Sequence, residues 1–192
     1  MNRIIIIGAG GHGRVVEDAS SLPCVFLDDN TALANVIGTP SRLNEFIKDE
    51  DGVVVAIGDN TTRLNLLQTI EQATVVLPPS AVVSKTASLG NGTVVFARAV
   101  VNPNAIVGIG CIINSGSTVE HDCVLANGVH ISPGANLGGN VSIGECSWVG
   151  IGANVKNGVT IGKHVIIGAG AAVVNDIPDG VTVVGVPAKE IS

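Results

Sequence analysis

Leu77, Val83, Leu89, Val95, Val101, Val107, Ile113, Val119, Leu125, Ile131, Leu137, Ile143, Val149, Val155, Ile161, Ile167 and Val173 stand six residues apart, and each is Leu, Ile or Val. If about a third of residues were of these types, such a run would arise by chance roughly once in 10⁸ trials, so the spacing counts as a template match. The position four further on is restrained too. Ala81, Ala87, Thr93, Ala99, Ala105 and Cys111 open a column that runs to Ile177 with no charged or aromatic member. A period of six fits neither a helix (about 3.6) nor an alternating strand (2). It fits a chain that makes a short strand, turns a corner and repeats. Three such sides close a triangular coil of about eighteen residues, and the coils stack as a parallel β-helix. The large aliphatic residue points inward and the small one fills the space beside it. Gly108, Gly110, Asn127, Gly128, Asn157 and Gly158 supply corners with unusual backbone angles.

Composition agrees. Hydrophobic residues make up 46% of the 192, yet aromatics only 2%, which suits stacked Val, Ile and Leu better than a mixed core. A net charge of −6 without a basic run argues against nucleic-acid binding. No apolar run reaches the ~18 residues of a membrane span. Ile4 to Ile7 is too short for a signal-peptide core, so a cytoplasmic protein is expected. Cys24, Cys111, Cys123 and Cys146 lack metal-type pair spacing, and Cys111 and Cys123 read as buried small residues of the inner column.

Residues 1–76 read differently. A strand, Arg3 to Ile7, runs into Gly8-Ala9-Gly10-Gly11-His12-Gly13 and a helix-like stretch from Arg14 to Ala19. Strand, G-x-G-x-x-G, helix is a nucleotide-binding order: glycines let the backbone approach phosphate, and the helix start offers free N–H groups. A second strand, Cys24 to Leu27, ends in Asp28-Asp29, placed where an acid bonds ribose hydroxyls. A helix over Leu43–Ile47, a strand over Val53–Ile57, the polar loop Gly58-Asp59-Asn60-Thr61, a helix over Thr62–Gln72 and a last strand over Thr74–Leu77 complete the unit. Pro78-Pro79 marks the boundary to the repeat domain, residues 77–192. This is half of a doubly wound domain, large enough for a mononucleotide or nucleotide sugar and too small for both halves of NAD.

Residues eighteen apart should stack. Gly139 then lies one coil above His121, and Trp148 one coil above His130; Asn114 lies in the coil before Ser132. Glu120-His121-Asp122 is the one titratable cluster in the middle of the repeats, and an imidazole beside carboxylates suits proton abstraction near neutral pH. Val94, Val100, Ile106 and Ile112 leave apolar side chains just outside the inner column, so a second copy is expected to cover them. A cyclic homotrimer suits a three-sided prism.

The repeat frame joined to the glycine motif, with Asp28-Asp29, Ala56-Ile57-Gly58-Asp59-Asn60, Val119-Glu120-His121-Asp122-Cys123 and Val184-Gly185-Val186-Pro187-Ala188-Lys189, resembles bacterial left-handed β-helix acyltransferases. It looks most like those that N-acetylate UDP-linked 4-amino-4,6-dideoxy sugars for bacillosamine-type glycans, kin of the sialic acid O-acetyltransferases. The resemblance implies a half-Rossmann α/β domain followed by a left-handed parallel β-helix, in a trimer. It implies that Gly10, Gly11, His12, Gly13, Asp28 and Asp29 bind the UDP sugar, with Gly58, Asn60 and Asn114 lining that site. It makes His121 the general base, oriented by Asp122 or Glu120; relatives often carry Glu where Asp122 stands. Acetyl-CoA would lie between neighbouring copies, against His130, Gly139, Ile151 and Ala169, with Lys189 near its adenine end, and no metal is required.

The amine, freed of its proton by His121, would attack the thioester carbon, and a backbone N–H near Gly139 would hold the oxyanion. Rival readings are O-acetylation of a sialic acid or related sugar, a non-catalytic nucleotide-sugar scaffold, and zinc hydration chemistry. The last needs three converging histidines, which the spacings of His121, His130 and His164 do not give.

Overall fold

Four consecutive isoleucines make Arg3–Ile7 (β1) a strand buried on both faces, as a parallel sheet requires. A computed structural model describes residues 1–191; Ser192, the last residue of the expected repeat domain, lies outside the described residues. β1 pairs in parallel with Cys24–Leu27 (β2) on one side and Asp51–Val55 (β4) on the other, and Val36–Gly38 (β3) adds to β2. The sheet order β3-β2-β1-β4 reverses direction at β1, with helix Gly11–Ala19 (α1) on one side. A short helix, Leu43–Phe46 (α2), and Asn60–Leu67 (α3) complete the unit.

Several bounds differ from the sequence reading: the strand expected over Val53–Ile57 runs Asp51–Val55, and α1 starts at Gly11, inside the glycine motif. β3 is only three residues long and carries no alternation to betray it. α3 begins at Asn60, two residues before the expected start, where the Asp59 carboxylate accepts the Thr62 N–H at 2.8 Å, and it ends at Leu67, short of the expected Gln72. Thr74–Leu77 forms no strand; Val76 instead makes a single bridge to Val94, and Leu77 is 42% exposed. No coil lies beneath Leu77 to bury it.

From Val82 onward the chain makes two-residue strands that pair in parallel with those eighteen residues before and after. They form three faces. The first stacks Val94, Ile112, His130, Trp148 and Ile166. The second stacks Val82, Val100, Thr118, Asn136, Asn154 and Ala172. The third stacks Ser88, Ile106, Val124, Ser142 and Thr160. Frame residues from Val95 to Val173 are all buried and form one apolar column with Ala99, Cys111, Cys123 and Ala135 beside them. Buried hydroxyls and thiols bind coil to coil: Thr93 Oγ1 donates to the Gly108 carbonyl at 2.8 Å, Ser147 Oγ to Gly162 at 2.7 Å, and Cys123 Sγ to Gly138 at 3.2 Å. Corners need left-handed backbone, and one edge meets that need with Asn104, Asp122, Asn140 and Gly158, all at φ between 59° and 75°. After Val173 the repeat shortens by two residues, so Ile177 meets Ile161 and Thr182 meets Ile166.

The apolar stripe outside the core is where the expectation of a covering subunit needs correction. Val94 and Ile112 are buried by the chain's own α/β unit, packed with Ile4, Ile6, Val16 and Val54. They lie on the first face, where that unit sits. Ile106 lies on the third face and is 54% exposed.

Candidate active site

The glycine motif divides its labour. Gly8 has φ of +106°, and a Cβ there would stand 2.9 Å from the Ala56 carbonyl oxygen, so the turn off β1 needs glycine. A Cβ on Gly13 would stand 2.0 Å from the Gly8 carbonyl oxygen, so this glycine lets α1 pack close to β1. Gly10 and Gly11 have neither constraint. Gly10 caps α1, and a Cβ there meets nothing within 4 Å. The open ground at this helix N-terminus is where an anion can come.

Asp28 turns back into this loop. Its Oδ2 accepts the Ala9 N–H at 2.7 Å and its Oδ1 the Asn30 N–H at 2.9 Å, and these bonds hold its carboxyl below the usual carboxylate range. Asp29 is different. It lines a crevice of about 680 Å³ at the carboxyl ends of the strands, with Ser41, Asn44, Ile57, Thr62 and Leu66. Ligands of doubly wound sheets bind in such a crevice, where the strand order reverses.

His12, expected in the UDP-sugar site, enters the seam between α1 and the first face. Its ring meets Phe96 edge-on at 5.5 Å, and its shielded Nε2 has no hydrogen-bond partner. Burial, helped by the Arg63 charge, lowers its pKa to about 4. Arg63 was hidden from sequence reading, because an Arg on a helix reads as surface. It is 1% exposed and makes five bonds: Nε to the Gly110 carbonyl (2.7 Å), Nη1 to those of Ile57 and Gly58, and Nη2 to the Gly128 carbonyl (2.8 Å) and Asn60 Oδ1 (2.7 Å). Asn60 Nδ2 donates to the Cys146 and Ser147 carbonyls. Arg63 and Asn60 thus fasten α3 to one edge of the prism at three successive coils, so Asn60 is a clasp as much as a lining residue.

Beside this clasp, Gly58, Asp59, Asn60 and Thr61 face His130, Cys146, Trp148, His164 and Ile166 across a cavity of about 420 Å³. His130 stacks on Trp148 at 5.7 Å, nearly parallel, as the eighteen-residue spacing predicts. Its Nε2 lies 3.2 Å from Asn114 Nδ2, and Asn114 Oδ1 accepts the Ser115 N–H, so Nδ2 is the donor and the His130 proton sits on Nδ1. Burial first, then the charges of Arg63 and His12, lower the His130 pKa to about 3. The ring is neutral and presents an N–H donor. Asn114, grouped by sequence with the sugar site, is a partner of His130.

His121 lies elsewhere, on the edge between the second and third faces, opposite the first face. Its Nδ1 is 2.7 Å from Asp122 Oδ2. Glu120 Oε2 accepts the His121 backbone N–H at 3.0 Å and so holds the turn, not the ring. The shorter acid reaches the ring because Asp122 sits at φ 60°. Its carboxyl is held below the usual range by His121 and then by Asn104. The imidazole covers Gly139 one coil on, where a Cβ would stand 2.6 Å from both Cε1 and Nε2. The Gly139 N–H donates to nothing among the described residues. Ile151 is exposed at the start of a third edge, with Ala169 one coil above. Lys189 is exposed on the terminal hairpin.

One chain therefore brings together His121, Asp122 and Gly139, and separately His130, Asn114, Gly58 and Asn60. It does not bring these groups to each other, and His121, His130 and His164 occupy an edge, a face and another edge.

An α/β unit with a glycine-rich strand-to-helix turn, clasped to a six-residue-repeat β-helix with an imidazole–carboxylate pair on a coil edge, defines a sugar acyltransferase of the repeat type. Residues 3–70 match the PglD N-terminal domain model. The chain is 42% identical, at a TM-score of 0.95 and full coverage of both chains, to the acetyltransferase domain of PglB from Neisseria gonorrhoeae in complex with acetyl coenzyme A. It is 37% identical, at a TM-score of 0.94, to PerB from Caulobacter crescentus in complex with CoA and GDP-perosamine, covering all of this chain and 98% of that one. It is also 36% identical over 113 residues to UDP-N-acetylbacillosamine N-acetyltransferase of Bacillus subtilis, a match spanning 50% of this chain and 52% of that protein. The chain belongs to this family of sugar N-acetyltransferases. No helix among the described residues is long and apolar enough to cross a membrane.

Proposed function

We propose that the chain transfers the acetyl group of acetyl-CoA to the 4-amino group of a UDP-linked 4-amino-4,6-dideoxy sugar in the cytoplasm, as a homotrimer of left-handed β-helices. The crevice carrying Asp29 takes the nucleoside, and the open N-terminus of α1 at Gly10 and Gly11 takes the diphosphate. The observation that carries the reading is the separation of the two halves. The α/β unit covers the first face, while His121 stands on the opposite edge, so sugar held by one copy reaches the imidazole only of another. The similar structures in complex with acetyl coenzyme A, or with CoA and GDP-perosamine, support the substrate classes.

The chemistry follows from the groups present. An ammonium cannot attack, so His121 Nε2 takes a proton from the sugar's amine while Asp122 holds Nδ1. The amine lone pair attacks the thioester carbon, and the oxyanion meets a backbone N–H such as that of Gly139. A donor of this kind lowers the barrier by about 3 kcal/mol. The C–S bond then breaks, and of the two protons the nitrogen sheds in going from ammonium to amide, His121 passes one to the CoA thiolate and the other leaves to solvent. His130, neutral with its Nδ1–H free, is suited to bind the thioester end.

The test is complementation. His121→Ala should lower turnover by roughly 10²–10⁴ with CoA binding intact, and Gly10→Val should abolish nucleotide binding. Co-expressed, the two variants should regain part of the activity, since mixed trimers rebuild some whole sites. Near-normal turnover in His121→Ala, or full activity from a monomer in sedimentation, refutes the reading. Running the assay with UDP-linked and GDP-linked 4-amino sugars, and with a sialic acid, decides the acceptor.

A further inference from the structure

Asp122 has two oxygens, and only one serves the imidazole. Oδ2 lies 2.7 Å from His121 Nδ1, and Oδ1 accepts the Asn104 side-chain amide at 3.1 Å. Asn104 occupies the same corner one coil earlier, with φ of 63° against 60° for Asp122. Its own N–H donates to Thr86 Oγ1 at 3.1 Å, one coil earlier again. The corner thus carries a hydrogen-bonded file, Thr86–Asn104–Asp122–His121, along the prism edge. A carboxylate bonded at one oxygen can still swing about its Cα–Cβ bond; bonded at both, it is fixed, and so is the ring it holds.

We infer that Asn104 is a positioning residue for acetyl transfer, acting through Asp122 to fix the orientation of His121. The inference rests on His121 being the base. It explains how this chain works with Asp at position 122: the short carboxylate is anchored from the coil below. The simpler account is that Asn104 is there because its corner needs left-handed backbone, which Asn tolerates. Glycine separates the two accounts, since Asn104→Gly keeps the corner at no steric cost and removes only the amide.

The experiment is steady-state kinetics on a double-mutant cycle of Asn104→Gly and Asp122→Gly, with His121→Ala beside it. Asn104→Gly should lower kcat about tenfold, the scale of a small displacement of a reacting group, with KM for both substrates within about twofold of wild type. On the Asp122→Gly background the same substitution should change kcat by less than about twofold, because the route to His121 is already cut. An unchanged kcat in Asn104→Gly, an equal loss on both backgrounds, or a loss confined to KM overturns the positioning role while leaving His121 as base. Turnover surviving His121→Ala overturns both.

Discussion

Replacing Gly139 by Ala adds one methyl group, and its consequences can be worked from the coil geometry. Gly139 does not have the positive φ of the corner glycines, so Ala suits its backbone. The new Cβ would stand 2.6 Å from Cε1 and Nε2 of His121 and 3.2 Å from Nδ1, where ordinary contact begins near 3.4 Å. The imidazole must therefore retreat by nearly 1 Å. Its tether to Asp122 is a 2.7 Å hydrogen bond, so the ring either loses that bond or carries Asp122 with it. A 1 Å misplacement of a catalytic group costs about 10²-fold in rate, or about 2.7 kcal/mol of barrier. The ring lies at the surface, so the fold should be intact. Thiol release from acetyl-CoA, followed with a chromogenic disulfide, should show kcat down about 100-fold with an unchanged melting temperature. A kcat within about twofold of wild type would show that the imidazole does not act from this position.

Further outcomes follow from the α/β unit. Arg63→Met removes five hydrogen bonds and leaves the Gly110 and Gly128 carbonyls without their partner; about 3–5 kcal/mol should be lost, a fall in Tm of about 10 °C by calorimetry. Gly10→Val should fold normally yet lose UDP in calorimetric titration, whereas Gly13→Ala, with its clash against Gly8, should fail to fold. His12 and His130 have pKa values lowered to about 4 and about 3 from 6.5, so the unfolded chain binds protons that the folded chain refuses. Stability should therefore fall as pH drops below about 6.5, by at most about 4 kcal/mol at pH 5 for the pair. Urea unfolding at pH 7.5 and 5 reads this directly, and His12→Gln with His130→Gln should flatten the dependence.

Much of the solenoid was legible because each coil repeats a rule that the next must also obey. The frame from Val83 to Val173, the stacking of His130 on Trp148 and the closeness of His121 to Gly139 all follow from counting to eighteen. The pairing of His121 with Asp122 was visible as adjacency, but whether Asp122 or Glu120 meets the ring depended on one corner angle. Contacts between the two units were illegible. Val94 and Ile112 read as bare apolar surface whether a second copy or the chain's own sheet covers them. Arg63 offered no signal, since its partners are backbone carbonyls 47 and 65 residues away. Asp28 had the right type and place for a ribose ligand, yet the Ala9 amide claims it, and the open acid is the next one.

The Arg63–Asn60 clasp sets a height. It grips the prism at Gly110, Gly128 and Cys146, and His121 lies in the chain between the first two of these rungs. In any ring of copies about an axis parallel to the prism, equal rungs stand level, so in the proposed trimer the floor on which one copy would rest its sugar is the floor on which its neighbour would carry the imidazole. Storeys added at the far end would leave that alignment untouched, whereas one inserted between Gly110 and Gly128 would pull apart the two carbonyls that Arg63 holds at once and so unseat the α/β unit.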